Sequence, residues 1–67
     1  MEGTIKFFTQ ERFFGFITLE GDQEFFFHGT SIVGDPVRAG DTVTFDIEED
    51  RGRMRAVNVT KIYDTRR

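Results

Sequence analysis

The residues of this 67-residue chain best suited to chemistry are aromatic rather than ionisable. They cluster in two segments, Phe13-Phe14-Gly15-Phe16-Ile17 and Phe25-Phe26-Phe27-His28. An extended strand sends alternate side chains to opposite faces. Phe14 and Phe16 then share one face of the first segment, with Gly15 and Ile17 behind them. Phe25 and Phe27 share one face of the second, with Phe26 and His28 on the other. If Gly15, Ile17, Phe25 and Phe27 turn to the core, then Phe14, Phe16, Phe26 and His28 form a platform facing water. Phe is commonly buried, but Phe25, Phe27, Ile17, Val43, Phe45, Ile47, Val57 and Val59 already supply a core. Nucleobases have π-faces, and each base–aromatic stack is worth about 1–3 kcal/mol, largely whatever the base. The platform therefore suits an unpaired nucleic-acid strand. Lys6 and Arg12 are expected to add positive charge at its rim.

Other chemistries find little support. There is one histidine and no cysteine, which leaves no Cys/His set for zinc. His28, Ser31 and Asp35 are neighbours in sequence, but a catalytic triad is defined by geometry and needs a presented nucleophile. Glu48-Glu49-Asp50 lacks the ligand spacing of a calcium loop, and no Walker or Rossmann glycine pattern occurs. A barrel this small has little room for a deep substrate pocket. The reading is a binding protein, not an enzyme, with no cofactor, no metal and no small-molecule substrate.

Composition bounds the partner. Nine Phe in so short a chain exceed what a small core hides, so some must be exposed, and exposed apolar patches mark binding sites. The net charge is −3, which argues against a partner held mainly through phosphates. Stacking reconciles an acidic chain with a polyanion. The charge is uneven: residues 1–50 carry Lys6, Arg12 and Arg38 against eleven acids, while residues 51–67 carry six cations against Asp64. That basic end reads equally as a solvated strand and tail. No stretch approaches the roughly 20 apolar residues of a membrane span. Met1-Glu2-Gly3-Thr4 lacks the features of a signal peptide. A soluble cytoplasmic monomer is expected, without a membrane partner, and the absence of cysteine is compatible with a reducing compartment.

Strand signals run through the chain and helical periodicity is nearly absent. The runs are Thr4–Phe8, Phe13–Leu19, Glu24–His28, Thr42–Glu48 and roughly Arg53–Tyr63. Glu20-Gly21-Asp22 marks a turn that makes the second and third runs a hairpin. In the fourth run Val43, Phe45 and Ile47 face in while Thr44, Asp46 and Glu48 face out. In the fifth, Val57 and Val59 are expected to share the inner face. Residues 29–41 read as a loop, and Glu49–Gly52 as a polar turn. Five short strands in one domain of residues 1–67 predict an all-β, five-stranded antiparallel barrel, because closure hides strand edges.

The same segments carry a family resemblance. Arg12-Phe13-Phe14-Gly15-Phe16-Ile17-Thr18 resembles the first ribonucleoprotein motif of the cold-shock domain family, and Phe25-Phe26-Phe27-His28 resembles its second. Glu2-Gly3-Thr4-Ile5-Lys6-Phe7-Phe8 is similar to the opening strand. Gly40-Asp41-Thr42-Val43-Thr44-Phe45 and Ala56-Val57-Asn58-Val59 are similar to the closing strands. The resemblance implies an OB-type barrel that binds single-stranded RNA or DNA and often acts as an RNA chaperone. It implies stacking residues at Phe7, Phe14, Phe16, Phe26 and His28, with Lys6 on the same surface. Phe7 rests on the resemblance alone, since periodicity does not decide between Phe7 and Phe8. The RNA-recognition-motif fold fits worse, because it needs two helices and the opposite motif order.

Four positions depart from the family pattern. Phe7 stands where Trp is usual, and Phe13 where Gly is usual, so the turn there is expected to differ. Gly29 replaces an aromatic residue common after the His, and the loop at 29–41 is short and lacks its usual aromatic. Phe13 is expected to supply a ring that partly replaces the missing ones. The competing reading is a protein-interaction module that uses the same Phe patch.

Overall fold

The β-branched and aromatic runs do form strands. The structure, a computed structural model, describes residues 1–20 and 23–62. Its strands are β1 (Glu2–Thr9), β2 (Phe14–Thr18), β3 (Glu24–His28), β4 (Thr42–Asp50) and β5 (Arg53–Lys61). A short 3-10 turn, Gly29–Ser31, follows β3. Glu49 and Asp50, expected in a turn, extend β4 instead. The turn shrinks to Arg51 and Gly52, with φ of 56° and 81°. Positive φ at both central residues matches the twist of a two-residue hairpin. Gly21 and Asp22 of the expected β2–β3 turn, together with Tyr63, Asp64, Arg66 and Arg67 of the expected fifth run and basic tail, lie outside the described residues.

The strands close into a barrel in the order β1-β2-β3-β5-β4, with β4 pairing back onto β1. Neighbours are antiparallel except β3 and β5, which run parallel through Phe26 opposite Arg55. Inside, the buried core is Ile5, Ile17, Phe27, Val37, Val43, Phe45, Ala56 and Val59, with Phe8, Phe25 and Ile47 packed partly buried against it. Val37 comes from the loop between β3 and β4, so the loop contributes an apolar side chain to the core.

Two bulges override strict alternation. Along β1 the register steps from Ile5 opposite Ile17 to Phe7 opposite Phe16, two residues of β1 against one of β2. Lys6 is the additional residue. Ile5 is therefore buried, and beyond the bulge Phe7 points outward while Phe8 turns in. Along β5, Thr60 and Val57 stand opposite Thr44 and Asp46, three steps against two. The extra residue is Asn58, at φ 54°, a region Asn tolerates better than most residues. Its side-chain amide donates to Asp46 Oδ2 at 3.2 Å. This bulge corrects the expected inner face of β5: Ala56 and Val59 are buried together, and Val57 is only half-buried.

Two close approaches set the β1–β2–β3 surface. A Cβ on Gly15 would collide with the Phe7 carbonyl oxygen and lie 2.9 Å from Phe27 Cζ. Only glycine lets β2 lie this near β1 while Phe27 fills the space beneath. Phe13 meets the expected strain rather than avoiding it: its φ is 62°. A left-handed angle costs a non-glycine residue about 1–2 kcal/mol. Its backbone is held at both ends, with N–H donating to the Thr9 carbonyl at 2.7 Å and C=O accepting from Gly29 N–H at 2.7 Å. Its ring lies over Gly29: a Cβ there would stand 2.5 to 2.6 Å from three of its carbons. The large residue at 13 and the absent side chain at 29 are one packing arrangement.

Replacing Gly15 with Ala is expected to lower stability by at least about 2 kcal/mol, because the obstacle is backbone and cannot yield cheaply. Urea denaturation of the variant reads this directly. Gly29→Ala is expected to cost about 1–3 kcal/mol with Phe13 present and far less in a Phe13→Gly background. A double-mutant cycle with additive costs would show that the two positions are not coupled.

Candidate nucleic-acid interface

The antiparallel pairing of β2 and β3 puts Phe14 opposite His28 and Phe16 opposite Phe26. Their ring centroids form a connected surface: Phe14 lies 5.7 Å from Phe26, Phe16 lies 5.9 Å from Phe26, and Phe14 lies 6.4 Å from Phe16. The bulge at Lys6 brings in Phe7 from β1, 5.5 Å from Phe16 and 6.1 Å from Phe14. Phe7 and Phe26 remain 39% and 36% exposed, while Phe14 and Phe16 are half-buried by their neighbours. Four phenyl rings thus share one outer face, with Phe25 and Phe27 on the other side of the sheet. The fold brings the alternation-derived set and Phe7 together.

His28 is exposed at the end of this surface. Its Nδ1 accepts a hydrogen bond from the Thr30 backbone N–H at 3.2 Å and lies 3.0 Å from Thr30 Oγ1. An accepting Nδ1 leaves the proton of the neutral ring on Nε2. The 3-10 turn that begins at Gly29 is what supplies this anchor. Phe13 comes next, 5.6 Å from His28 but at an interplanar angle of 87°. It is 45% exposed. Phe8 stacks inward on Phe27 at 5.7 Å and stands off the platform, 6.0 Å from Phe13.

Two of the cations near the rings, Lys6 and Arg55, are paired with carboxylates. Lys6 Nζ lies 2.6 Å from Glu24 Oε2, and both side chains are well exposed. Such a pair is worth little in water and exchanges readily for another anion. Arg12 is exposed in the turn between β1 and β2. The parallel seam adds residues that the local pattern did not reveal. Arg53, Met54 and Arg55 adjoin Phe26 around a depression of about 180 Å³ that also includes Asp50. Arg55 is drawn toward Glu48 at 3.5 Å and Asp50 at 3.9 Å. The one available signal was the period of two in Arg53-Met54-Arg55, but nothing local tells that β5 lies beside β3.

Among the described residues, no group of three His, Cys, Asp or Glu side chains is arranged to hold a metal ion. No helix among them is long and apolar enough to cross a membrane.

Comparisons with known proteins agree with this barrel. The model of the 'Cold-shock' DNA-binding domain matches residues 1–62. The cold shock-like protein CspB of Bacillus cereus is 40% identical over 65 residues, spanning 92% of this chain and 100% of that protein. The major cold shock protein of Streptococcus pyogenes serotype M18 is 39% identical over 64 residues, spanning 91% of this chain and 96% of its own. Among solved structures, Drosophila Unr CSD456 shares the fold with a TM-score of 0.76 at 24% identity, over 96% of this chain and 27% of that one. A closed barrel whose family match runs from Met1 to Ile62 and whose relatives align over nearly their whole length places this chain in the cold-shock DNA-binding domain family, a nucleic-acid-binding fold.

Proposed function

We propose that this protein binds single-stranded RNA or DNA by stacking unpaired bases on Phe7, Phe14, Phe16, Phe26 and His28. The observation that carries the reading is the connected, water-facing surface of phenyl rings on β1, β2 and β3. A stacked base removes apolar ring surface from water without needing a matched phosphate contact. Phe13 extends the surface beyond His28. Lys6 and Arg12 act at the rim, Lys6 by exchanging Glu24 for a phosphate. Holding bases unpaired disfavours weak secondary structure, which is the action of an RNA chaperone. The protein works as a non-catalytic cytoplasmic monomer and needs no cofactor.

Discrimination against duplexes follows from the mechanism, since paired bases keep their faces stacked on one another. A protein-interaction module using the same patch would bind neither form.

Phe26→Ala is expected to weaken oligo(U) or oligo(dT) binding by roughly five- to a hundredfold, the loss of one stack. Its far-ultraviolet spectrum should stay native, because the ring lies outside the core. Fluorescence anisotropy with labelled single strands and a duplex reads both affinity and selectivity; unchanged affinity in this variant would remove Phe26 from the site. With about two phosphates neutralised, the log–log salt slope should be about −1.4. A slope several times steeper would assign the binding to phosphate contacts instead.

A further inference from the structure

Strand pairing lines up one outward row across all five strands. Phe7 stands opposite Phe16, Phe16 opposite Phe26, Phe26 opposite Arg55 and Arg55 opposite Glu48. Paired residues on neighbouring strands share a face, and the strands lie about 4.7–4.9 Å apart. The row is aromatic through β3 and then turns polar, with a guanidinium on β5 and a carboxylate on β4. A base laid on Phe26 therefore extends one of its edges over Arg55. The depression there, about 180 Å³ and bounded by Phe26, Asp50, Arg53, Met54 and Arg55, is too small for a whole ligand but has room for such an edge. Arg55 is poorly matched where it rests. Its Nη2 meets two carboxylates at long range, 3.5 Å from Glu48 Oε1 and 3.9 Å from Asp50 Oδ2. Its Nε–H is shielded from solvent and has no acceptor among the described residues, an arrangement that costs free energy. The side chain as a whole is still 41% exposed, so the guanidinium can turn outward onto a ligand.

We propose that Arg55 reads the edge of the base stacked on Phe26 and makes this position select guanine. The proposal rests on the single-strand reading above and adds a base preference to it. A phosphate is the poorer occupant. Glu48 and Asp50 already offset the charge of Arg55, and an incoming phosphate would be repelled by both. An uncharged base edge escapes that repulsion. Guanine fits the donors and acceptors present. Its adjacent O6 and N7 accept two parallel N–H bonds from an arginine fork. Its N1–H and N2–H groups are donors that a neighbouring carboxylate such as Asp50 can accept. Adenine sets a donor, N6–H, beside N7, so the fork meets one acceptor. Uracil separates its two carbonyl oxygens by the N3–H donor. Cytosine offers an acceptor pair, but on a smaller stacking face and with a single donor group. Lysine could not replace Arg55 in this role, because an ammonium is a point charge without a planar fork.

The test is fluorescence anisotropy of the full chain with labelled oligo(U) of about seven nucleotides, within the span of one small barrel. Parallel strands carry a single central G, A or C. The G strand should bind roughly tenfold tighter than the all-U strand, the discrimination of one bidentate pair. The A and C strands should gain about threefold or less over all-U. A strand with 7-deazaguanine, which lacks the N7 acceptor, should lose most of the advantage on the unaltered protein. Arg55→Lys keeps the charge and should reduce the G-to-U affinity ratio to about two or less. If the unaltered protein binds the G and A strands equally, or holds 7-deazaguanine as tightly as guanine, the guanine proposal fails while the platform stands. A ratio preserved in Arg55→Lys would show that Arg55 is not the reader. If Arg55→Ala weakens all four strands alike, the side chain serves the phosphates and the proposal is overturned. If no strand binds, both readings fall.

Discussion

The interior of a five-stranded barrel holds few aromatic rings, and that limit shapes the rest of this molecule. Of nine phenylalanines, only Phe27 and Phe45 are fully buried. The core between them is closed by aliphatic side chains and Ala56. The other rings must lie half in or out. Alternation along β2 and β3 sorts them, and the bulge in β1 adds Phe7 to the outer set. The outer rings lean on one another, so each shields part of its neighbour from water. The cost of exposing them is thereby reduced but not removed. A surface of this kind is what a base-stacking protein needs and what a protein without such a partner would be expected to avoid.

Charge plays a different part. Two of the cations near the rings face carboxylates: Lys6 meets Glu24, and Arg55 lies between Glu48 and Asp50. This keeps the field over the platform modest despite the arginines of β5. Affinity in the proposed function then comes from aromatic contact, with ion-pair exchange adding smaller amounts. An acidic protein can hold a polyanion on these terms, because stacking energy does not depend on the sign of the protein's net charge.

Phe13 and Gly29 show how two departures from a family pattern can be a single one. Each taken alone looks damaging: a bulky residue at a left-handed angle, and a missing ring beside the histidine. Together they fit, because the ring of the first occupies the volume the second leaves open. The backbone strain at Phe13 is met by two short hydrogen bonds and by contacts to Phe8 and His28. The exchange also turns a ring out of the platform plane, which makes a wall where a flat surface would otherwise continue.

Much of this was legible in the residues. Period-two alternation placed Phe14, Phe16, Phe26 and His28 on one face, since a strand's geometry is local and the opposite face was plainly a core. The inward set of β4 was readable for the same reason. The family resemblance added Phe7, which alternation could not assign. Three matters were decided only by the tertiary structure. The extra residues at Lys6 and Asn58 shift register by one, and a one-residue shift exchanges the faces of every side chain beyond it. That is why Phe7 points out and why Ala56, not Val57, is buried beside Val59. The neighbourhood of Phe26 and Arg55 depends on a parallel seam between strands far apart in sequence, which no local signal encodes. The fit of Phe13 over Gly29 depends on the closed barrel bringing two loop residues to van der Waals distance. Strand identity is a property of short stretches of chain, whereas register, seams and close contacts exist only once the strands have met.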